Sequence, residues 1–217
     1  MENNSNLNGT RGKLAANEND IKIILENVLS KCNQKIITSK IDDIISHIDL
    51  KDDITLRNIN DVTNWLFIIN MQELSLQMGS TIDHIPFEGD FMIWENIQGV
   101  LVIETLIYLE NKQMDKYNNC ISTIKEVRTT GDEATIKKRQ KILQRVLNGS
   151  LLHDKEILEA QKENNIQEEL RHRFLQFKRL NYMRIMGGSE TYPIEYLDKE
   201  IKKEKDFLKE KVSIANF

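Results

Sequence analysis

Apolar residues recur every three or four positions along most of the chain, which is the spacing of amphipathic α-helices. Residues that make tight turns are scarce, with two Pro and nine Gly among 217 residues, whereas sandwiches and barrels need a turn every 8–12 residues. The pattern therefore predicts an all-α fold of seven or eight helices. The first two helices are predicted to begin near Asn17 or Asn19 and at Ser39. The next five are predicted over residues 60–78, 91–110, 113–128, 132–147 and 150–186, and the last begins at Pro193.

Residues 91–110, FMIWENIQGVLVIETLIYLE, are apolar on nearly every side of the predicted helix. A helix without a polar face is stable in water only when other elements surround it, so this segment is expected at the centre of a compact helical bundle. Residues 80–90 precede it and form the longest loop-like break, with Pro86 and Gly89. The run WLFII, residues 65–69, is also compatible with a short strand.

The rest of the chain divides by composition. Residues 1–16 are polar and Asn-rich and are expected to form a disordered leader. Residues 17–128 are expected to form the core bundle, and residues 132–217 a longer, more charged helical hairpin that is either separate or part of the same domain. Asn164 and Asn165 mark the place where the helix over 150–186 is expected to kink or split.

The net charge of −4 is unevenly distributed. Residues 1–120 carry 10 Lys and Arg against 18 Asp and Glu, a net charge of −8, and residues 121–186 carry 14 against 9, a net charge of +5. Such segments attract each other within one fold or between two copies, or they serve separate partners.

No stretch is apolar for long enough to span a bilayer, and the N-terminal residues lack the apolar core of a signal peptide. The two cysteines, Cys32 and Cys120, lie within helical patterns and are expected to be buried thiols in a reducing compartment. We therefore expect an intracellular, cytoplasmic protein without membrane contact.

Residues 171–184, RHRFLQFKRLNYMR, mix cations with aromatic side chains. On a helical wheel the cations are spread around the helix, whereas phosphate binding needs several cations on one side. Phe174 and Phe177 share a face with Leu170. The segment is therefore interpreted as a helix that packs on two sides, and contact with nucleic acid is the alternative.

On the same helical wheel, residues 136–147 differ from residues 171–184, because four cations form one stripe and the apolar residues lie on the other side. Only Arg139 falls within the apolar side. The stripe is a solvated helix face, a partner for the acidic residues of the same fold, or a nucleic-acid site. An anionic membrane is the least favoured alternative, because no lipidation signal or aromatic wedge accompanies the stripe. The cations of the stripe are Lys137, Lys138, Lys141 and Arg145. The possible acidic partners are Asp42, Asp43, Asp49, Asp52 and Asp53. In the nucleic-acid hypothesis the auxiliary cations are Arg171, Arg173, Lys178 and Arg179.

Known catalytic motifs are not found. There is no phosphate-binding loop, no HExxH and no paired CxxC. Glu169 and His172 match the ExxH motif of di-iron bundles, but a second copy is missing. Glu104 lies within the apolar central helix, where it is expected to form a salt bridge. We expect no metal and no cofactor, although a helical enzyme with a buried carboxylate remains a third hypothesis.

The last helix carries a narrow apolar stripe in a Lys- and Glu-rich background, which is typical of helix–helix pairing. Its partner is another protein, a second copy of the chain, or the chain's own core. The stripe consists of Ile194, Leu197, Ile201 and Leu208. The sequence therefore predicts a non-enzymatic protein–protein interaction or scaffold protein that pairs with a protein partner or forms a homo-oligomer through its C-terminal helices. The alternative is a nucleic-acid-binding protein that uses the basic stripe.

Overall fold

The computed structural model describes residues 18–85, 91–129, 131–187 and 192–217. Over these ranges the chain forms ten α-helices, a short 3-10 helix and no strand, which confirms the all-α prediction. The predicted leader, residues 1–16, and the end of the 80–90 break lie outside the described residues. The helices are α1 (Glu18–Lys31), α2 (Lys35–Ser46), α3 (Asp53–Ile68), α4 (Gln72–Gly79), α5 (Phe91–Glu110), α6 (Met114–Thr129), α7 (Glu133–Leu147), α8 (Asp154–Lys162), α9 (Ile166–Met186) and α10 (Ile194–Lys211).

Local signals set several of the helix ends. Asp52 caps α3 by accepting a hydrogen bond from the backbone N–H of Thr55 at 3.0 Å, and Asp132 caps α7 in the same way at 2.9 Å from Thr135. Such caps satisfy N–H groups that have no partner within the helix. Gly187 follows the last residue of α9 and has φ 89°, the left-handed conformation that glycine adopts most easily.

Two predicted helices are each divided by an asparagine in the left-handed conformation. The helix expected over 60–78 begins at Asp53 and breaks near Asn70, φ 65°, into α3 and α4. The helix expected over 150–186 breaks at Asn164, φ 53°, into α8 and α9, which confirms the predicted split. The strand alternative for WLFII is wrong, because α3 continues helically to Ile68.

The start of α2 also differs from the prediction, because the helix begins at Lys35 rather than at Ser39. The Ser39 hydroxyl donates to the backbone carbonyl of Lys35 at 2.9 Å, so it bonds one turn back instead of capping a helix end. Similarly, Ser150 bonds Asn148 in a turn, and α8 begins at Asp154.

The core is centred on α3 and α5. Almost all of α3 from Thr55 to Ile68 is buried, and α5 is buried over most of its length. Helix α9 packs against both, and its Phe174 ring stacks on Trp65 with 4.7 Å between the ring centroids. Leu208 of α10 belongs to the same buried cluster, so residues from both predicted segments of the chain share one core. Among the described residues, no helix combines the length and the hydropathy needed to cross a membrane.

Candidate ligand-binding groove

A groove of about 420 Å³ lies where α3, α5, α7 and α9 meet. Its aromatic lining is supplied by Trp94, Phe174, Tyr182 and Phe217. Its charged lining consists of Lys40, Arg57, Arg171, Lys178 and Arg179, with Asp61 and Glu95. A concave, largely apolar site with a few charged groups is the usual form of a ligand-binding pocket, and this volume lies within the typical range of about 300–1,000 Å³.

Asp61 lies between two lysines on the wall of the groove. Its carboxylate accepts hydrogen bonds from Lys178 at 2.8 Å and from Lys40 at 3.2 Å. Burial alone would raise the pKa of Asp61, but the two ammonium groups outweigh burial and hold that pKa below its ordinary value. Two ammonium groups therefore share one carboxylate, which leaves a surplus of one positive charge at this point of the wall.

The arginines of the groove each pair with one carboxylate. Arg179 contacts Glu95 at 3.0 Å, and Arg57 on the exposed rim contacts Asp53 at 2.6 Å. Arg171 contacts Glu168 at 2.7 Å. When these partners are counted, the groove carries five cations against four carboxylates, and the surplus arises from Asp61.

Buried amide side chains hold α3 and α5 together at the wall of the groove. Asn64 donates to the side chain of Asn60 at 2.9 Å, Asn60 donates to Asn96 at 3.2 Å, and Asn96 donates to Asp53 at 3.1 Å. Gly99 makes this approach possible, because a Cβ atom there would lie 2.6 Å from the Asn60 amide nitrogen. The wall is thus fixed by a chain of hydrogen bonds between two neighbouring helices.

The basic stripe of α7 lies on the surface. Lys137, Lys138, Lys141 and Arg145 are all exposed, and Lys137 pairs with Glu133 on the same helix at 2.7 Å. Arg139, which falls on the apolar side of the wheel, is buried with its guanidinium 5.5 Å from the centroid of the Trp94 ring. Of the acidic residues considered as partners of the stripe, Asp52 caps α3 and Asp53 binds Arg57.

The auxiliary cations of the nucleic-acid hypothesis are all engaged within the protein. Arg171, Lys178 and Arg179 line the groove, each in an ion pair, so the structure brings these three together. Arg173 is instead buried between Glu169 and Glu204, both at 2.8 Å. Phe174 and Phe177 are buried as well, in keeping with the packing interpretation of residues 171–184.

The apolar stripe of α10 is largely covered by the protein's own core. Leu197 and Leu208 are fully buried, and Ile201 is half-buried against the same clusters. Ile194 is 41% exposed. In this fold the stripe packs largely on its own chain, which is one of the alternatives that the sequence left open. Two of its four residues are closed to a partner, and Ile201 is partly covered.

Glu104 does not form the salt bridge that the sequence predicted. It is 3% exposed, and among the described residues its carboxyl group has no hydrogen bond or ion pair. Burial, and next to it the nearby Asp83, raise the pKa of Glu104 well above its ordinary value. It lines a second cavity together with Asp83 and His84, which come from the loop that sequence analysis treated only as a break.

The ExxH pair does not form a metal site in the described part of the chain. Glu169 accepts hydrogen bonds from Gln161 and Arg173, and the ring of His172 faces that of His153 with 3.2 Å between Nδ1 atoms. Within the described ranges, no group of three or more His, Cys, Asp or Glu side chains is arranged to hold a metal ion.

Comparisons with known proteins identify a family. Neither the curated proteins nor the solved structures include a significant match. One family model, described as a family of unknown function (DUF6707), matches residues 9–210. Because this match covers nearly the whole chain, the protein belongs to the DUF6707 family.

Proposed function

We propose that the protein is a non-enzymatic binding protein whose groove holds an acidic segment of a partner protein. The observation that supports this is that the groove combines an aromatic lining with a surplus of cations over carboxylates. Protein interfaces commonly place an apolar anchor in a pocket and surround it with charged groups that fix its orientation. The proposal keeps the predicted class, a protein–protein interaction, but moves it from the α10 stripe to the groove.

The chemistry of the groove favours an acidic side chain beside an apolar one. A carboxylate that approaches Lys178 meets an ammonium group that shares Asp61 with Lys40. Hydrogen bonds between ionised groups are shorter and stronger than neutral ones. An apolar side chain in the same segment would bury its surface against Tyr182 and Phe217, the partly exposed aromatic residues of the lining.

A protein partner fits better than nucleic acid at this site. Phosphate binding relies on several cations that face a phosphate row together, and its strength comes from the release of counterions. Here each arginine of the lining already has a carboxylate partner. The surplus is therefore small and local, which suits one or two carboxylates rather than a polyanion.

Fluorescence anisotropy tests the proposal with a labelled short peptide of alternating Glu and Phe and a counterpart in which Lys replaces each Glu. We expect saturable binding of the acidic peptide and none of the basic one. Replacing Arg57 and Arg179 by Gln leaves Asp53 and Glu95 without their cations, so the groove should repel the acidic peptide. Binding should weaken about tenfold, which corresponds to about 1.4 kcal/mol. Replacing Lys141 and Arg145 by Gln removes the same charge outside the groove and should leave affinity within about twofold.

A second candidate function is nucleic-acid binding through α7. The observation that favours it is the exposure of four cations along one helix face. Anisotropy with labelled single-stranded RNA and duplex DNA at low and near-physiological salt tests it. Steeply salt-dependent binding that is lost with Lys141→Gln and Arg145→Gln, but kept with Arg57→Gln and Arg179→Gln, would put nucleic acid in place of the acidic peptide.

A further inference from the structure

A second cavity, of about 270 Å³, lies between the turn at residues 81–85 and helices α5 and α6. Glu104 of α5 lines it, and Asp83 of the turn supplies another carboxylate. Buried carboxylates in proteins are almost always paired with a cation or a hydrogen-bond donor. Glu104 departs from that rule, because no hydrogen bond or ion pair reaches its carboxyl group from the residues that the structure describes.

Gly79, at the end of α4, makes room for this carboxyl group. A Cβ atom at Gly79 would lie 2.5 Å from Oε1 of Glu104 and 2.8 Å from Cγ1 of Val100. The backbone of Gly79 is not in the left-handed region, so the close approach, rather than its own conformation, requires glycine. The packing of α4 against α5 therefore leaves space for the Glu104 carboxyl group instead of filling it with a side chain.

The two carboxyl groups that line the cavity favour a positive ligand, whereas Lys116, also in the lining, is a cation. Asp83 faces Glu104 from the turn, and its Oδ1 lies 3.2 Å from Nδ1 of His84. From α6, Lys116 places its ammonium nitrogen 5.3 Å from the centroid of the Tyr108 ring, so a cation already lies over that aromatic face. Burial, and after it the negative charge of Glu104, raise the pKa of Tyr108 to about 12.

We propose that this cavity binds a small organic cation, an ammonium or guanidinium compound, between the carboxyl groups of Glu104 and Asp83. Lys116 already lies over the ring of Tyr108, so the two carboxyl groups, rather than that ring, would hold the bound cation. The site is separate from the groove and does not rest on the function proposed there. Its donor set does not suit a metal ion, because Ca²⁺ takes about 6–8 oxygen ligands and the described residues offer no group of three metal-binding side chains here.

Binding at this site is coupled to release of a proton. Burial and Asp83 favour the protonated form of Glu104, as the direction of its pKa shift indicates. A cation beside the carboxyl group favours the ionised form, so the proton passes to the solvent when the ligand binds. The number of protons released on binding therefore reports on the ionisation of Glu104 itself. A carboxyl group with only a structural role would release no proton.

Isothermal titration calorimetry on the full chain tests the proposal with methylguanidinium chloride and propylammonium chloride, against potassium chloride at the same ionic strength. Titrations in two buffers of different ionisation enthalpy count the protons released. We expect saturable binding of at least one organic cation, with proton release that disappears in Glu104→Gln. That variant should bind at least about tenfold more weakly, a loss of about 1.4 kcal/mol.

Glu110→Gln is the matched control, because it makes the same substitution at an exposed position on the same helix and should leave binding unchanged. Asp83→Asn, at a half-buried position, is the second variant if Glu104→Gln fails to fold, and it should also weaken binding. The proposal is overturned if the titrations show no saturable binding, or if Glu104→Gln and Asp83→Asn leave affinity and proton release unchanged. Tighter binding of Ca²⁺ or Mg²⁺ than of either organic cation would overturn it in favour of a metal site.

Discussion

Two buried carboxyl groups of this protein have pKa shifts of opposite sign. The pKa of Asp61 is lowered, because Lys178 and Lys40 outweigh the effect of burial. The pKa of Glu104 is raised, because burial is joined by the negative charge of Asp83 and no cation from the described ranges is paired with it. The two pKa shifts therefore differ in sign because the nearest charged group differs. The ionised form of Asp61 is stabilised by its cations, whereas Glu104 is costly to ionise.

The stability of the protein should depend on pH through Glu104. In the unfolded chain its carboxyl group loses a proton near the ordinary value of 4.5, whereas the folded state keeps the proton to higher pH. Between these two pKa values the folded state binds more protons, so the free energy of unfolding falls as pH rises through that window. Glu104→Gln should remove this term and stabilise the protein, relative to wild type, above the window but not below pH 4.5. Urea unfolding at several pH values measures this, and parallel curves for the two proteins would contradict it.

At the scale of elements, α9 and α10 are joined by a buried ionic cluster. Arg173 contacts Glu169 of its own helix and Glu204 of α10, and Glu204 is 1% exposed. The Arg173 guanidinium also lies 4.2 Å from the centroid of the Phe207 ring. A residue that sequence reasoning grouped with surface cations thus fixes how the two helices pack.

Removing this arginine should be far more harmful than removing a surface one. Arg173→Gln leaves Glu204 buried without its cation and should destabilise the protein by about 3–5 kcal/mol. Arg184→Gln breaks the more exposed pair with Asp198 between the same two helices and should cost at most about 1 kcal/mol. Thermal and urea unfolding of the two variants check the ranking, and equal losses would show that burial of the cluster does not matter.

The contact between α3 and α5 depends on Gly99. Alanine favours helices over glycine by about 1 kcal/mol, so an open site would be stabilised by the change. At Gly99 a Cβ atom would lie within 2.9 Å of three atoms of the Asn60 amide group, and Gly99→Ala should destabilise the protein by about 1–3 kcal/mol. The sign of the change in unfolding free energy is the test, and stabilisation would show that Asn60 can move aside freely.

At the scale of the whole molecule, the acidic first half and the basic segment meet across the groove. Lys178 of α9 pairs with Asp61 of α3, and Arg179 pairs with Glu95 of α5. These pairs join residues far apart in sequence, which is one of the outcomes that the uneven charge predicted. The same pairs line the groove, so the charges that hold the two parts together also give the candidate site its character.

Much of the architecture was predictable from local signals. Helical periodicity located most of the helices. The wheel of residues 136–147 placed four cations on one face, which is exposed, and Arg139 among the apolar residues, where it is buried. The break at Asn70 was not predictable, because an asparagine in the left-handed conformation there depends on how α4 packs. The groove was hidden for a related reason, since its lining comes from five helices and from Phe217, and only the fold places these side chains together.

The most direct test of the acidic-peptide proposal is a nuclear magnetic resonance titration of ¹⁵N-labelled protein with the Glu- and Phe-containing peptide. The chain has two tryptophans, so the indole N–H region is simple, and Trp94 lines the groove. We predict a saturable shift of the Trp94 indole signal, together with the backbone amides of Lys178 and Arg179, at the affinity found by anisotropy. Shifts confined to residues 137–145, or no shifts at all, would contradict the proposal that the groove binds the acidic segment.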